Sequence, residues 1–127
     1  MLKTNALVVV ADGHSATLYR NTADGAIELR ADDTLSPKNL ADQGAGNSPV
    51  ETSPKDEDEA TFARQVAEAV NALVLANKAE EVVIVADPST LGAMRPHYHK
   101  ELQARLVKQL AKTLVRASPD EIARAIG

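Results

Sequence analysis

The sequence predicts an α/β domain built on a mixed sheet, and three features set that class. The runs Leu7-Val8-Val9-Val10-Ala11 and Val82-Val83-Ile84-Val85-Ala86 are continuously apolar, as strands covered on both faces must be. Between them Phe62, Val66, Ala69, Val70, Leu73 and Val74 recur at helical spacing, with Arg64, Gln65, Glu68 and Asn71 mostly opposite, which is one apolar stripe of an amphipathic helix. A right-handed strand, helix, strand crossover makes the two apolar strands parallel neighbours. A chain of 127 residues suits one domain with a core of its own, so residues 1–127 are read as a single unit.

Taken in order, the first strand covers Asn5 to Ala11, and Asp12-Gly13 is a turn signal because both residues tolerate the positive φ of a tight hairpin. A second strand spans His14 to Arg20, with Ala16, Leu18 and Arg20 on one face and Ser15, Thr17 and Tyr19 on the other. Asp24-Gly25 gives another turn, and Ala26 to Ala31 alternates as a half-exposed strand, completing an antiparallel meander. Periodicity stops from Ser36 to Asp58, where Pro37, Gly44, Gly46, Pro49 and Pro54 punctuate a polar stretch. A loop of that length is usually functional or disordered, and both readings stay open. The acids Asp56-Glu57-Asp58-Glu59 then fall in the first turn of the long helix, where its dipole favours them. That helix should end near Asn77-Lys78.

After the organising strand 82–86, Asp87-Pro88 opens a short helix to about Arg95, Pro96 interrupts, and a second helical piece covers roughly His97 to Arg105. Leu106 to Val115 reads two ways. Leu102, Leu106, Leu110 and Leu114 would line a helix, whereas Val107-Lys108-Gln109-Leu110-Ala111 would make an edge strand. Ser118-Pro119-Asp120-Glu121 is a capping box with Pro at N1, opening a terminal helix through Ile126.

Composition removes several chemistries. With no Cys there is no disulfide, thiolate zinc site or Cys nucleophile. With no Trp, two Tyr and one Phe, stacking platforms are scarce, so any nucleic-acid contact is expected through the phosphate backbone. The apolar run Ala6 to Ala11 is too short for a signal h-region or a membrane span, and a cytoplasmic protein without membrane association is expected. The net charge of −4 is unevenly spread: residues 95–116 hold one acid, Glu101, against the six bases Arg95, Lys100, Arg105, Lys108, Lys112 and Arg116. This basic stretch either neutralises phosphates of a partner or forms a solvated face.

Other candidates have structural readings. Asp12 and Asp87 follow the two apolar strands, so their carboxylates could converge to hold Mg²⁺ as in a metal-dependent nuclease, with Glu59 or Asp120 as a third acid. Turn chemistry at Asp12 and helix capping at Asp87 explain both without metal. His97-Tyr98-His99 would aim both imidazoles one way only if extended, and His14 follows a turn, so no metal site is assigned. Gln43-Gly44-Ala45-Gly46 could let a backbone approach a phosphate, but it lacks the Lys and the strand-to-helix setting of a phosphate loop.

The chain resembles bacterial host attachment proteins, a family related to the middle domain of archaeal and eukaryotic release factors. The matching residues are Leu7 to Gly13 with Ala16 and Leu18-Tyr19-Arg20, then Phe62 to Ala67, then Val83 to Pro88 with Leu91-Gly92 and Arg95, and finally Ser118 to Ile122. The resemblance implies a five-stranded mixed sheet of ribonuclease H-like topology and makes Val107 to Leu114 its last strand. In the release factors the loop before the long helix carries a Gly-Gly-Gln tripeptide that promotes peptidyl-tRNA hydrolysis. The equivalent loop here, 36–58, holds Gln43-Gly44-Ala45-Gly46 instead, so peptide release is not carried over.

The expected function is therefore a non-enzymatic binding protein of the host attachment family, without cofactor or metal. The alternatives are a ribosome- or RNA-associated factor, and a metal-dependent nuclease. The expected contact residues are Arg95, Lys100, Arg105, Lys108, Lys112 and Arg116, facing ribosome or RNA, and Gln43, Gly44 and Gly46 in a loop facing a protein partner. Oligomeric state is left unassigned.

Overall fold

The computed structural model describes residues 3–36 and 55–127. The elements are β1 (Leu7–Ala11), β2 (Ala16–Asn21), β3 (Leu29–Leu35), α1 (Lys55–Leu75), β4 (Val82–Ala86), α2 (Pro88–Met94), a 3-10 turn (Arg95–His97), α3 (Lys100–Arg105), β5 (Leu106–Ala111) and α4 (Pro119–Ile126). They form one five-stranded sheet in the order β3-β2-β1-β4-β5. Strand β2 is antiparallel to β1 and β3, whereas β4 is parallel to β1 and β5 parallel to β4. That order and sense are those of a ribonuclease H-like sheet, the expected class.

Both faces of the sheet are covered, which is why β1 and β4 are apolar at every position. On one face Leu7, Val9, Ile84 and Ala86 meet Phe62, Val66, Val70 and Val74 of α1, Leu91 and Met94 of α2, and Leu102 of α3. On the other face Val8, Val10, Tyr19, Val83 and Val85 meet Ile122 and Ile126 of α4, with Ile27, Leu29, Leu110 and Leu114 packed around them. Each such side chain taken fully out of water contributes roughly 1.5–3 kcal/mol, so the two-turn α4 matters to the whole second face.

Several boundaries differ from the sequence reading. The third strand is Leu29–Leu35, not Ala26 to Ala31, because buried Asn21 holds residues 22–28 as a loop. Its amide nitrogen donates to the carbonyls of Lys3, Ala23 and Ala26, and its oxygen accepts from the Glu28 N–H. The long helix begins at Lys55, inside the expected loop 36–58, and ends at Leu75, with Asn77 at φ 64° closing it. Residues 97–105 are not one helix. The 3-10 turn stops at His97, and His99 caps α3 by accepting the Glu101 N–H on Nδ1 at 3.0 Å.

Leu106 to Val115 resolves as strand β5 only as far as Ala111, shorter than the expected 107–114. Both outer strands carry a bulge: β3 opposite Leu18/Tyr19 and β5 opposite Val82/Val83. Both also carry charges, Arg30, Asp32 and Asp33 on one and Lys108 on the other. Bulges and edge charges are the devices that blunt strand-to-strand association.

Candidate nucleic-acid interface

The six bases of residues 95–116 do not form one patch. Arg105, half-buried, donates from Nη1 to the carbonyls of Ala79 at 2.8 Å and Val74 at 3.3 Å, neutralising the last turn of α1. Lys108 donates from Nζ to the Ile126 carbonyl at 3.0 Å and so caps α4 on the opposite face of the sheet. Arg95 donates from Nε to Gln109 Oε1 at 3.4 Å. Lys100, Lys112 and Arg116 are exposed and take no hydrogen bond or ion pair among the described residues. Charge counted along a sequence could not separate these roles, because the chain passes from the helical face through β5 to the α4 face within twenty residues.

Gln43, Gly44 and Gly46 lie outside the described residues, as do the side chains of Asp56, Glu57 and Asp58. The two candidate metal acids follow the paired residues Ala11 and Ala86 at the carboxyl ends of β1 and β4. Each carboxylate is engaged locally. Asp12 Oδ1 accepts the N–H groups of His14 and Ser15, both at 2.8 Å. Asp87 caps α2, accepting from the Thr90 N–H at 3.2 Å and the Thr90 hydroxyl at 2.7 Å. Glu59 lies against Gly13 and pairs with His14 Nε2 at 3.0 Å. No three His, Asp or Glu side chains among the described residues converge on one ion site.

His97 and His99 are tied to backbone geometry. The Asn71 side chain donates to the His97 carbonyl at 2.8 Å and accepts the His99 N–H at 3.0 Å. This clamp docks α1 on the 95–99 segment and holds Tyr98 between them. Tyr98 packs against the first core, and its hydroxyl donates to Gln109 Oε1 at 3.3 Å. Burial pushes its phenol up to about 12, against the opposing charge of Arg95. Beside it an open cleft of about 460 Å³ is lined by Arg95, Tyr98, Gln103, Leu106, Val107, Lys108 and Gln109. The sequence reading named Arg95 and Lys108 but missed Tyr98, Gln103 and Gln109, which no spacing rule brings together.

The model of bacterial archaeo-eukaryotic release factor family 12 matches residues 5–126. The chain belongs to that family. An uncharacterized protein of Rickettsia prowazekii (strain Madrid E) is 34% identical over 77 residues, covering 59% of this chain and 51% of that protein. The match thus spans about half the length of that curated relative. Among solved structures, an archaeal protein aligns over 94% of this chain and 36% of its own, at 12% identity and a TM-score of 0.47. The Aquifex aeolicus Ppx/GppA phosphatase, type II variant, aligns over 83% of this chain and 34% of its own, at 15% identity and a TM-score of 0.43. No helix among the described residues is long and apolar enough to cross a membrane.

Proposed function

We propose that this protein is a release-factor-related domain that binds the ribosome or its RNA in the cytoplasm and acts by binding, without peptide release. The observation that carries this reading is family membership across residues 5–126. It is supported by the three exposed cations Lys100, Lys112 and Arg116, which take no hydrogen bond or ion pair among the described residues and are suited to phosphates. Absence of the Gly-Gly-Gln tripeptide from residues 36–58 separates binding from hydrolysis. An attachment role through a protein partner rests on the resemblance alone.

The test is sedimentation of the protein with bacterial ribosomes at low salt, beside a peptidyl-tRNA hydrolysis assay on the same complexes. Co-sedimentation without hydrolysis is expected. Absence of co-sedimentation at low salt overturns the proposal and moves the protein-partner reading forward; hydrolysis overturns its non-catalytic half.

A further inference from the structure

We infer that the cleft between the 95–98 turn and β5 is a subsite for one unstacked nucleotide of single-stranded RNA, its base against Tyr98 and its phosphate on Arg95. This rests on the RNA or ribosome association proposed above and adds to it the place and the kind of contact.

The chain has three aromatic residues, and folding spends two of them on the core. Phe62 is 1% exposed and Tyr19 7% exposed, whereas Tyr98 is left half-buried at the cleft wall. Scarcity of aromatics in the sequence argued against base contacts; their placement reverses this, because one ring on a rigid support is enough to seat one base. Support for Tyr98 comes from the core on one side and the Asn71 clamp on the other. Leu106 and Val107 add apolar surface, Val107 being 52% exposed.

The polar groups around that surface present donors. Gln109 Oε1 already accepts from both Tyr98 Oη and Arg95 Nε, which fixes the amide with its NH₂ group directed away from them. That NH₂ group has no partner among the described residues. Arg95 uses only Nε, so the four N–H groups on its terminal nitrogens remain available for an anion or a base carbonyl. Gln103 contributes a second amide, held only by a 3.5 Å bond to the Tyr98 carbonyl. An apolar wall with a partly exposed ring, an arginine and two amide donors matches the acceptor-rich edge of a base and its adjoining phosphate. The cleft volume of about 460 Å³ lies in the range of small-ligand sites, roughly 300–1,000 Å³.

The test is a titration of ¹⁵N-labelled full-length protein with a six-residue oligouridylate at low salt, followed by NMR and by Kd, beside uridine monophosphate and a duplex RNA. Expected are shift changes concentrated at residues 95, 98, 103 and 106–109, with weaker binding of the mononucleotide and of the duplex. Gln109→Glu keeps both acceptor contacts to Tyr98 and Arg95, so it should fold as the parent does, but it replaces the amide donors by a negative charge. At least a tenfold loss of oligouridylate affinity is expected, while Tyr98→Phe, which keeps the ring, stays within about threefold.

The subsite is overturned if the shifts fall elsewhere or if Gln109→Glu binds within twofold of the parent. Equal binding of the mononucleotide makes it a free-nucleotide site, and equal binding of the duplex removes the unstacked base; both overturn the inference. If ribosomes bind but the oligonucleotide does not, the subsite fails and the ribosome association stands. If neither binds, both fail.

Discussion

Replacing Asn21 by alanine is expected to destabilise the domain by about 3 kcal/mol. The side chain is 1% exposed, and four of its hydrogen bonds are short: 3.1 Å to the Lys3 carbonyl, 2.8 Å to Ala23, 2.9 Å to Ala26, and 2.8 Å from the Glu28 N–H. The NH₂ group has two hydrogens for three carbonyls, so the four contacts amount to about three full bonds, and at roughly 1 kcal/mol net per bond the loss is about 3 kcal/mol. Against a total of about 5–15 kcal/mol for a domain, this is a large fraction, and it corresponds to a melting temperature lower by roughly 10 °C.

Urea unfolding followed by circular dichroism measures it directly. A cost below about 0.5 kcal/mol, within the scatter of an ordinary surface substitution, would refute the assignment of the 22–28 loop to this one side chain. Asn21→Asp sharpens the test. The introduced carboxylate keeps the acceptor for Glu28 but faces three carbonyls without a donor, so its folded pKa must be raised. A raised folded value means stability is lost as pH rises through it, and the variant should approach the parent as pH falls.

Three further predictions follow from the same geometry. Arg105→Met should cost about 1–3 kcal/mol by leaving the Val74 and Ala79 carbonyls without their charged donor, yet leave ribosome binding unchanged below its melting temperature; a loss of binding in the folded variant would return Arg105 to the contact surface. Asp87→Ala removes the α2 cap and should lower stability by about 1 kcal/mol in thermal melts, with and without Mg²⁺; a metal-dependent difference between parent and variant would revive the metal reading. Glu121 has its pKa lowered by hydrogen bonds from the Ser118 backbone and hydroxyl. A depressed folded value means its contribution is intact at neutral pH and disappears as pH falls below the ordinary 4.5, so Glu121→Gln, which removes the titrating carboxylate, should flatten the acid end of the stability profile, and an unchanged profile would refute the contribution of the box.

The parts of the fold legible in the sequence were those where one local rule decided the outcome. Strands β1 and β4 are apolar at every position because both sheet faces are covered, and α1 shows its stripe because it lies over one of them. Ser118 and Glu121 announce α4 through a cap whose two bonds are both made, at 3.2 and 2.9 Å. Where two rules competed, the sequence was silent. Leu102, Leu106, Leu110 and Leu114 keep helical spacing, yet the chain changes state at Leu106: Leu102 and Leu106 pack under the helices, and Leu110 and Leu114 pack under α4. Likewise Ala26 to Ala31 alternates like a strand, but Asn21, five residues earlier, claims the loop's backbone groups.

Less of the site was legible, for the same reason. Arg105 and Lys108 count as bases in the sequence, but each reaches a carbonyl in the last turn of a helix, Val74 for Arg105 and Ile126 for Lys108, a role visible only when the helix ends are in place. Arg95 gains meaning from Tyr98 and Gln109, the latter fourteen residues away, through two bonds to one oxygen. The low aromatic content was read correctly as a number and incompletely as a surface, since exposure is a property of the fold.

The most direct test of ribosome or RNA association is the salt dependence of ribosome co-sedimentation for the parent and for the Lys100→Ser, Lys112→Ser, Arg116→Ser triple variant. At roughly 0.7 per phosphate neutralised on single-stranded RNA, the log–log slope should flatten by up to about 2 in the variant, with weaker binding at every salt concentration. An identical slope in parent and variant, or no binding by the parent at low salt, would contradict the account.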